Sequence, residues 1–224
     1  MAQKELTTEE IAQIAADLQN SKSEKRRNAA KKISKNHLSE LGDKLFAAYQ
    51  KECQDKRTWE TQCEMIKALG LIDYKKAQES IFEIVKQNEP HDTITTYAAL
   101  AYIRLKRKSI KDGAPALELL EFGRISVIGG VLMVLAIDKM IPDNDTIEKI
   151  IKICWNLHEH KDRTVGIGDD RKYLAIACAN WDKNLVRDFL NHCIETAGKN
   201  QNYLIEVSQN SLNGKYSKAY LGDY

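Results

Sequence analysis

Two clusters of cations are the residues of this 224-residue chain whose type and spacing most suggest chemistry. The segment KSEKRRNAAKKISK holds Arg27, Lys31, Lys32 and Lys35, and on a helical wheel these gather opposite Ala29 and Ile33. The segment RLKRKSIK adds Arg104, Arg107 and Lys108. Dense cations at helical spacing suit a phosphate backbone or another partner-binding role. Their plainer role is a solvated helix face, with cations near helix C-termini where the dipole favours them. Glu60 and Glu64 fall between the clusters and would interrupt a continuous basic track. The overall charge of +2 is too mild to imply a polyanion partner by itself. Residues 1–111 carry 21 Lys and Arg against 16 Asp and Glu, and the remainder 13 against 16, so the N-terminal half is the more basic.

Other chemistries find weaker support. LHEH at 157–160 is the one His-Glu grouping, and adjacent helical residues point about 100° apart, so His158, Glu159 and His160 cannot converge on one metal. His158 is expected as a core histidine beside Ile147, Ile151 and Cys154. The loop TVGIGDDR at 164–171 has no preceding strand, and its two aspartates would repel a phosphate. No G-x-S-x-G elbow or kinase signature appears. Five cysteines form no C-x-x-C pair and read as free thiols, with Cys63, Cys154 and Cys178 on apolar helix faces. No metal, cofactor or catalytic residue is therefore expected.

The elements that would position the cations are helices. Three Pro and 11 Gly are few turn formers for this length. TTEE at 7–10 reads as a capping box, as do SKSE at 21–24 and DTIE at 145–148, with Thr58, Asp92 and Asp182 as further caps. Apolar residues recur at i, i+3, i+4 and i+7, and no run alternates with period two. Twelve helices are expected, at 7–19, 22–35, 38–53, 58–69, 74–88, 92–107, 114–122, 126–139, 145–160, 169–180, 183–198 and 202–213. In order they form six pairs, a two-helix unit repeating every three to four dozen residues or so. Ala29, Ala30, Ala68, Ala98, Ala99, Gly129, Gly130, Ala175 and Ala177 fall on the second helices, where small side chains allow close approach. Gly70 is expected as a left-handed helix terminator. ISVIGGVLMVLAI at 125–137 is too short for a membrane span and apolar all round, so it is expected to be the most buried helix. The polar start, MAQKELTTEE, shows no signal peptide.

Three of these segments, EKRRNAAKKI, TQCEMIKALGLID and TYAALAYIRLKR, resemble second helices of HEAT repeats, and DDRKYLAIACANW resembles a more divergent one. The resemblance implies an all-α fold, a right-handed α-α superhelix of about six HEAT-like pairs forming one domain over residues 1–224. It also implies a scaffold that grips a partner on the concave face made by the second helices. One bacterial subgroup of that family, the alkylpurine DNA glycosylases, holds duplex DNA there with aromatic side chains and an Asp. That set cannot be matched to particular residues in this sequence. Two readings stand: a cytoplasmic, non-catalytic scaffold for a protein partner, and a nucleic-acid binder of the DNA alkylation-repair type. In the second, Arg27, Lys31, Lys32, Lys35, Arg104, Arg107 and Lys108 make the contact. Neither involves a membrane.

Overall fold

A computed structural model describes residues 6–162 and 168–221, and among these every regular element is helical. The first six helices are α1 Thr8–Asp17, α2 Ser23–Asn36, α3 Gly42–Glu52, α4 Trp59–Leu71, α5 Gln78–Gln87 and α6 Thr93–Lys106. They are followed by α7 Ala114–Phe122, α8 Ile125–Ile137, α9 Asn144–Cys154, α10 Arg171–Ala177, α11 Lys183–Glu195 and α12 Asn202–Leu212. The expected 145–160 helix is shorter, ending at Cys154 with a separate 3-10 turn at Leu157–Glu159. Half of the loop TVGIGDDR (164–167) lies outside the described residues, as do residues 1–5 of the N-terminal stretch.

Local chemistry explains where the helices start. The Thr7 hydroxyl accepts from the Glu10 N–H and the Glu10 carboxylate accepts from the Thr7 N–H, a complete capping box. Asp92 and Asp182 cap α6 and α11 as expected. The other two expected boxes do not form. Helix α9 is capped one turn-fraction earlier by Asp143, whose carboxylate takes the Thr146 N–H. Helix α2 starts after Lys22 with no side-chain cap, and Ser23 turns its hydroxyl away to Glu52 and Thr61. Thr58 also makes no cap, because its hydroxyl donates back to the Asp55 carbonyl.

The even-numbered helices pack in series, α2 on α4, α4 on α6, α6 on α8, α8 on α10 and α10 on α12. Helices α1, α3, α5, α7 and α11 each pack on the even helix that follows, and α9 lies between α7 and α11. The even series is tight because small residues face backbone. A Cβ added to Gly70 would lie 2.9 Å from the Ala101 Cα, and one added to Gly130 would lie 2.1 Å from the Thr96 carbonyl oxygen. Gly70 is thus a contact residue inside α4 and not its terminator. The left-handed residue there is Asp73. His37 and Lys139 do the same after α2 and α8. In each case the next residue, Leu38, Tyr74 or Met140, donates its N–H to a carbonyl five residues back, at Ile33, Leu69 or Leu135.

Helix α8 is the most enclosed. Every residue from Ser126 to Ala136 is buried, as its unbroken apolar wheel requires. Cys63, Cys154, Cys178 and Cys193 are buried and all five thiols are free. Burial pushes the thiols of Cys63, Cys154 and Cys193 up to about 12, so they stay protonated.

Two substitutions test this packing. Gly130→Ala should destabilise the protein by about 1–3 kcal/mol through overpacking against a backbone that cannot yield locally. Leu132→Ala should cost about 2–5 kcal/mol by leaving a cavity. Urea denaturation measures both, and a cost well under about 1 kcal/mol at both sites would show that α8 is peripheral.

Candidate functional site

The solvent-facing side of the even helices carries paired charges and tyrosines. On α2, Ala29, Ala30 and Ile33 are buried while Lys31, Lys32 and Lys35 are exposed. Arg27 faces α4 and forms an ion pair with Glu60. One turn along α4, Glu64 and Lys67 pair at 3.2 Å. The Lys67 ammonium also sits 5.2 Å from the centre of the Tyr97 ring on α6. The expected interruption of the basic track by Glu60 and Glu64 is thus direct pairing.

Beyond α6 the same side becomes aromatic. Gly130 lets α6 close onto α8, and the missing Cβ of Gly129 leaves room for the Asp170 carboxylate, 3.2 Å from where that atom would be. Tyr173 on α10 is half-buried, with Asp170, Tyr97 and Tyr203 near enough for their charges to act on it. Burial first, then Asp170, pushes its phenol up to about 12. The Lys172 ammonium lies 4.6 Å from the Tyr173 ring centre and 5.7 Å from that of Tyr203. The Tyr203 hydroxyl accepts the Asp169 N–H at 2.6 Å, so α12 is tied to the start of α10.

That start is held by a buried guanidinium. Arg171 is 0% exposed. It grips both carboxylate oxygens of Asp169 through Nε and Nη2, and its Nη1 donates to Thr196 Oγ1 at 2.7 Å. The His158 Nδ1 lies 3.2 Å from Nη1. Arginine only donates, so this Nδ1 must be the unprotonated nitrogen. Burial, then the Arg171 charge, lowers the His158 imidazole below its ordinary value. His192 stacks on Trp155 and meets His158 edge-on. His158 is therefore a structural acceptor. Among the described residues no group of three or more His, Cys, Asp and Glu could hold a metal ion, and no helix is long and apolar enough to cross a membrane.

The second cation cluster is placed differently from the first. The Arg104 side chain is 4% exposed and binds both oxygens of Asp138 with Nε and Nη2 at 2.9 and 2.6 Å. Arg107, largely buried, adds its Nη2 to Asp138 Oδ2. Burial would raise the Asp138 carboxyl, and the two guanidiniums more than reverse this, holding it below the usual range. Lys108 is exposed. Arg104 therefore cross-links α6 to the end of α8 and cannot line an open surface with the lysines of α2. The tyrosine face and the Arg171 node were not anticipated from sequence. Among signals that pointed there, only the Gly129–Gly130 pair and the DDR triplet before α10 stand out.

The His158 arrangement makes stability pH-dependent. With the folded value lowered, the contribution is fully present above the ordinary imidazole value of about 6.5 and is lost as pH falls through the folded value. The melting temperature should drop between about pH 7 and 5. His158→Asn keeps an acceptor near the Nδ1 position, so this variant should show a smaller drop. Equal pH profiles for the two proteins would rule the arrangement out.

No family model matches this sequence, and no curated protein or solved structure is similar to it, so what the chain does has to be read from this surface.

Proposed function

We propose that the chain is an interaction scaffold of the HEAT-like solenoid kind, a right-handed superhelix of about six helix pairs whose even helices line a concave face for a protein partner. The tight packing of the even helices supports the curvature. Glycine and alanine draw that layer together, while among the odd helices close packing runs only through α7, α9 and α11. A layer shortened on one side bends toward that side.

The observation that carries the partner class is the composition of the even face. Its charges come as opposite pairs, Arg27 with Glu60 and Glu64 with Lys67, and it leads into Tyr97, Tyr173 and Tyr203. Tyrosines with restrained rings are the residues that dominate protein–protein interfaces, where they bring a large contact area at a small entropic cost. Locked opposite charges give register and specificity more than raw attraction. The second reading, nucleic-acid contact, is favoured by one observation, the three exposed lysines 31, 32 and 35 on a single helix. The pairing of Arg27 and Arg104 with acids removes two of the seven cations that such a track would use.

Affinity capture from the native host separates the readings when wild type is compared with Tyr97→Ala/Lys172→Glu. A partner enriched by wild type should fall at least about tenfold with the double variant, a change of about 1.4 kcal/mol. Equal capture by both would remove the tyrosine face from the reading. Anisotropy of a labelled DNA duplex over about 50 to 300 mM salt gives the other arm. Salt-sensitive binding abolished by Lys31→Glu/Lys32→Glu would favour nucleic acid.

A further inference from the structure

Helix α6 breaks the rule its neighbours obey. Where α2, α4 and α8 turn left-handed, α6 runs into extended backbone at Arg107, φ −64° and ψ 145°. The loop that follows is pinned from several sides. The Asp112 carboxylate accepts the Lys108 and Ala114 N–H groups, and the Ile110 carbonyl accepts the Ile141 N–H. The result is a groove of about 450 Å³ across the C-terminal ends of α2, α4, α6 and α8.

The lining of this groove is unbalanced. Arg104 and Arg107 share the single carboxylate of Asp138. The Arg107 Nη1 is buried with no hydrogen-bond partner among the described residues. A guanidinium N–H in that condition is costly until an acceptor meets it. Lys108, next in the chain, is exposed and has no ion pair with an acid among the described residues. The remaining acid in the lining, Asp73, is already paired with Lys75 at 2.7 Å, and the Lys75 ammonium also takes the Leu105 carbonyl at the end of α6. Beside these cations stand Leu71 and Ile110, the latter 46% exposed, one of the most exposed large apolar residues in the protein. An unmet guanidinium N–H and an exposed ammonium beside an apolar shelf fit a carboxylate carried next to an aliphatic side chain.

We propose that this groove binds a short acidic segment of a protein partner, with an Asp or Glu carboxylate on Arg107 and Lys108 and a neighbouring aliphatic residue on Leu71 and Ile110. This rests on the scaffold reading and adds to it an anchor at the edge of the even face. A carboxylate oxygen on Arg107 Nη1 makes a charge-assisted hydrogen bond, and the Lys108 ammonium takes its other oxygen.

The test is selection of a random dodecapeptide display library on the full chain. The expected enriched peptides carry Asp or Glu within two residues of Leu, Ile or Val. Their binding should weaken at least about tenfold with Lys108→Glu, and also with raised salt. Lys111→Glu, an exposed reversal in the same loop but outside the groove, should leave binding unchanged, which guards against a mere change in net charge. Arg107→Gln, checked for an intact melting transition, should act like Lys108→Glu. Enriched peptides without acidic residues, or acidic peptides indifferent to Lys108→Glu, would overturn the groove. If such peptides instead depend on Tyr97 and Lys172, the scaffold reading survives without it. A library that yields no binder on either surface removes both.

Discussion

Everything in this fold follows from how closely the even helices approach. At Gly70 and Gly130 there is no space for even one carbon between a helix and its neighbour's backbone. Helices at such distances lose side-chain interdigitation but gain many short contacts, and they hold their relative position with little tolerance. Odd helices then have one buried side each, toward the even layer or, for α9, toward α7 and α11. That is why α5, α9 and α11 are amphipathic in sequence while α6 and α8 are buried nearly all round. The tyrosine cluster depends on the same constraint. Tyr97 and Tyr173 sit on helices on either side of α8, which has no side chain at 129 and 130 to hold those neighbours off.

A second regularity is electrostatic. Hydrogen bonds between groups 34 residues apart recur along the chain: Arg104 to Asp138, the Asp92 N–H to Ser126, Asn88 to the Phe122 carbonyl, and the Asp169 N–H to Tyr203. Equivalent places in consecutive helix pairs are thus bonded side chain to side chain or side chain to backbone. Arg124 to Asp162, and Arg26 to Glu52, extend the series at other spacings. Most of these polar groups are only partly buried, so each contributes modestly and their value lies in fixing register.

The helices were legible because their signals are local. TTEE, Asp92 and Asp182 cap through groups within four residues, and the apolar spacing of α9 and α10 can be counted directly. The failures share one cause. SKSE at 21–24 looks like a capping box with Ser21 as its cap, but α2 starts at Ser23 after Lys22, and Ser23 is drawn to Glu52 and Thr61 from 29 and 38 residues away. Gly70 looks like a terminator until Ala101 is seen against it. Arg104 looks like one more surface cation in RLKRK until Asp138 takes it. The exposed lysines of α2 were correctly placed, since Ala29, Ala30 and Ile33 alone fix which side of that helix turns inward. The tyrosine face was not legible, because Tyr97, Tyr173 and Tyr203 lie on three different helices and no spacing rule links them.

The C-terminal segment introduces a departure from nearest-neighbour order. The Tyr216 hydroxyl donates to the Ala136 carbonyl, 80 residues earlier, while its ring lies under the Lys139 ammonium at 4.6 Å. The Trp181 indole donates to the Met140 carbonyl from 41 residues away. A chain built only of stacked pairs can fray from either tip, one pair at a time. Here the final residues are clasped to α8 in the middle. The contacts of Tyr216 and Trp181 close the span from α8 onward into a loop, whereas among the described residues no such return reaches α1 or α2. Cooperativity is therefore expected to be polarised along the molecule, higher from α8 onward than at the N-terminal end that bears Lys31, Lys32 and Lys35.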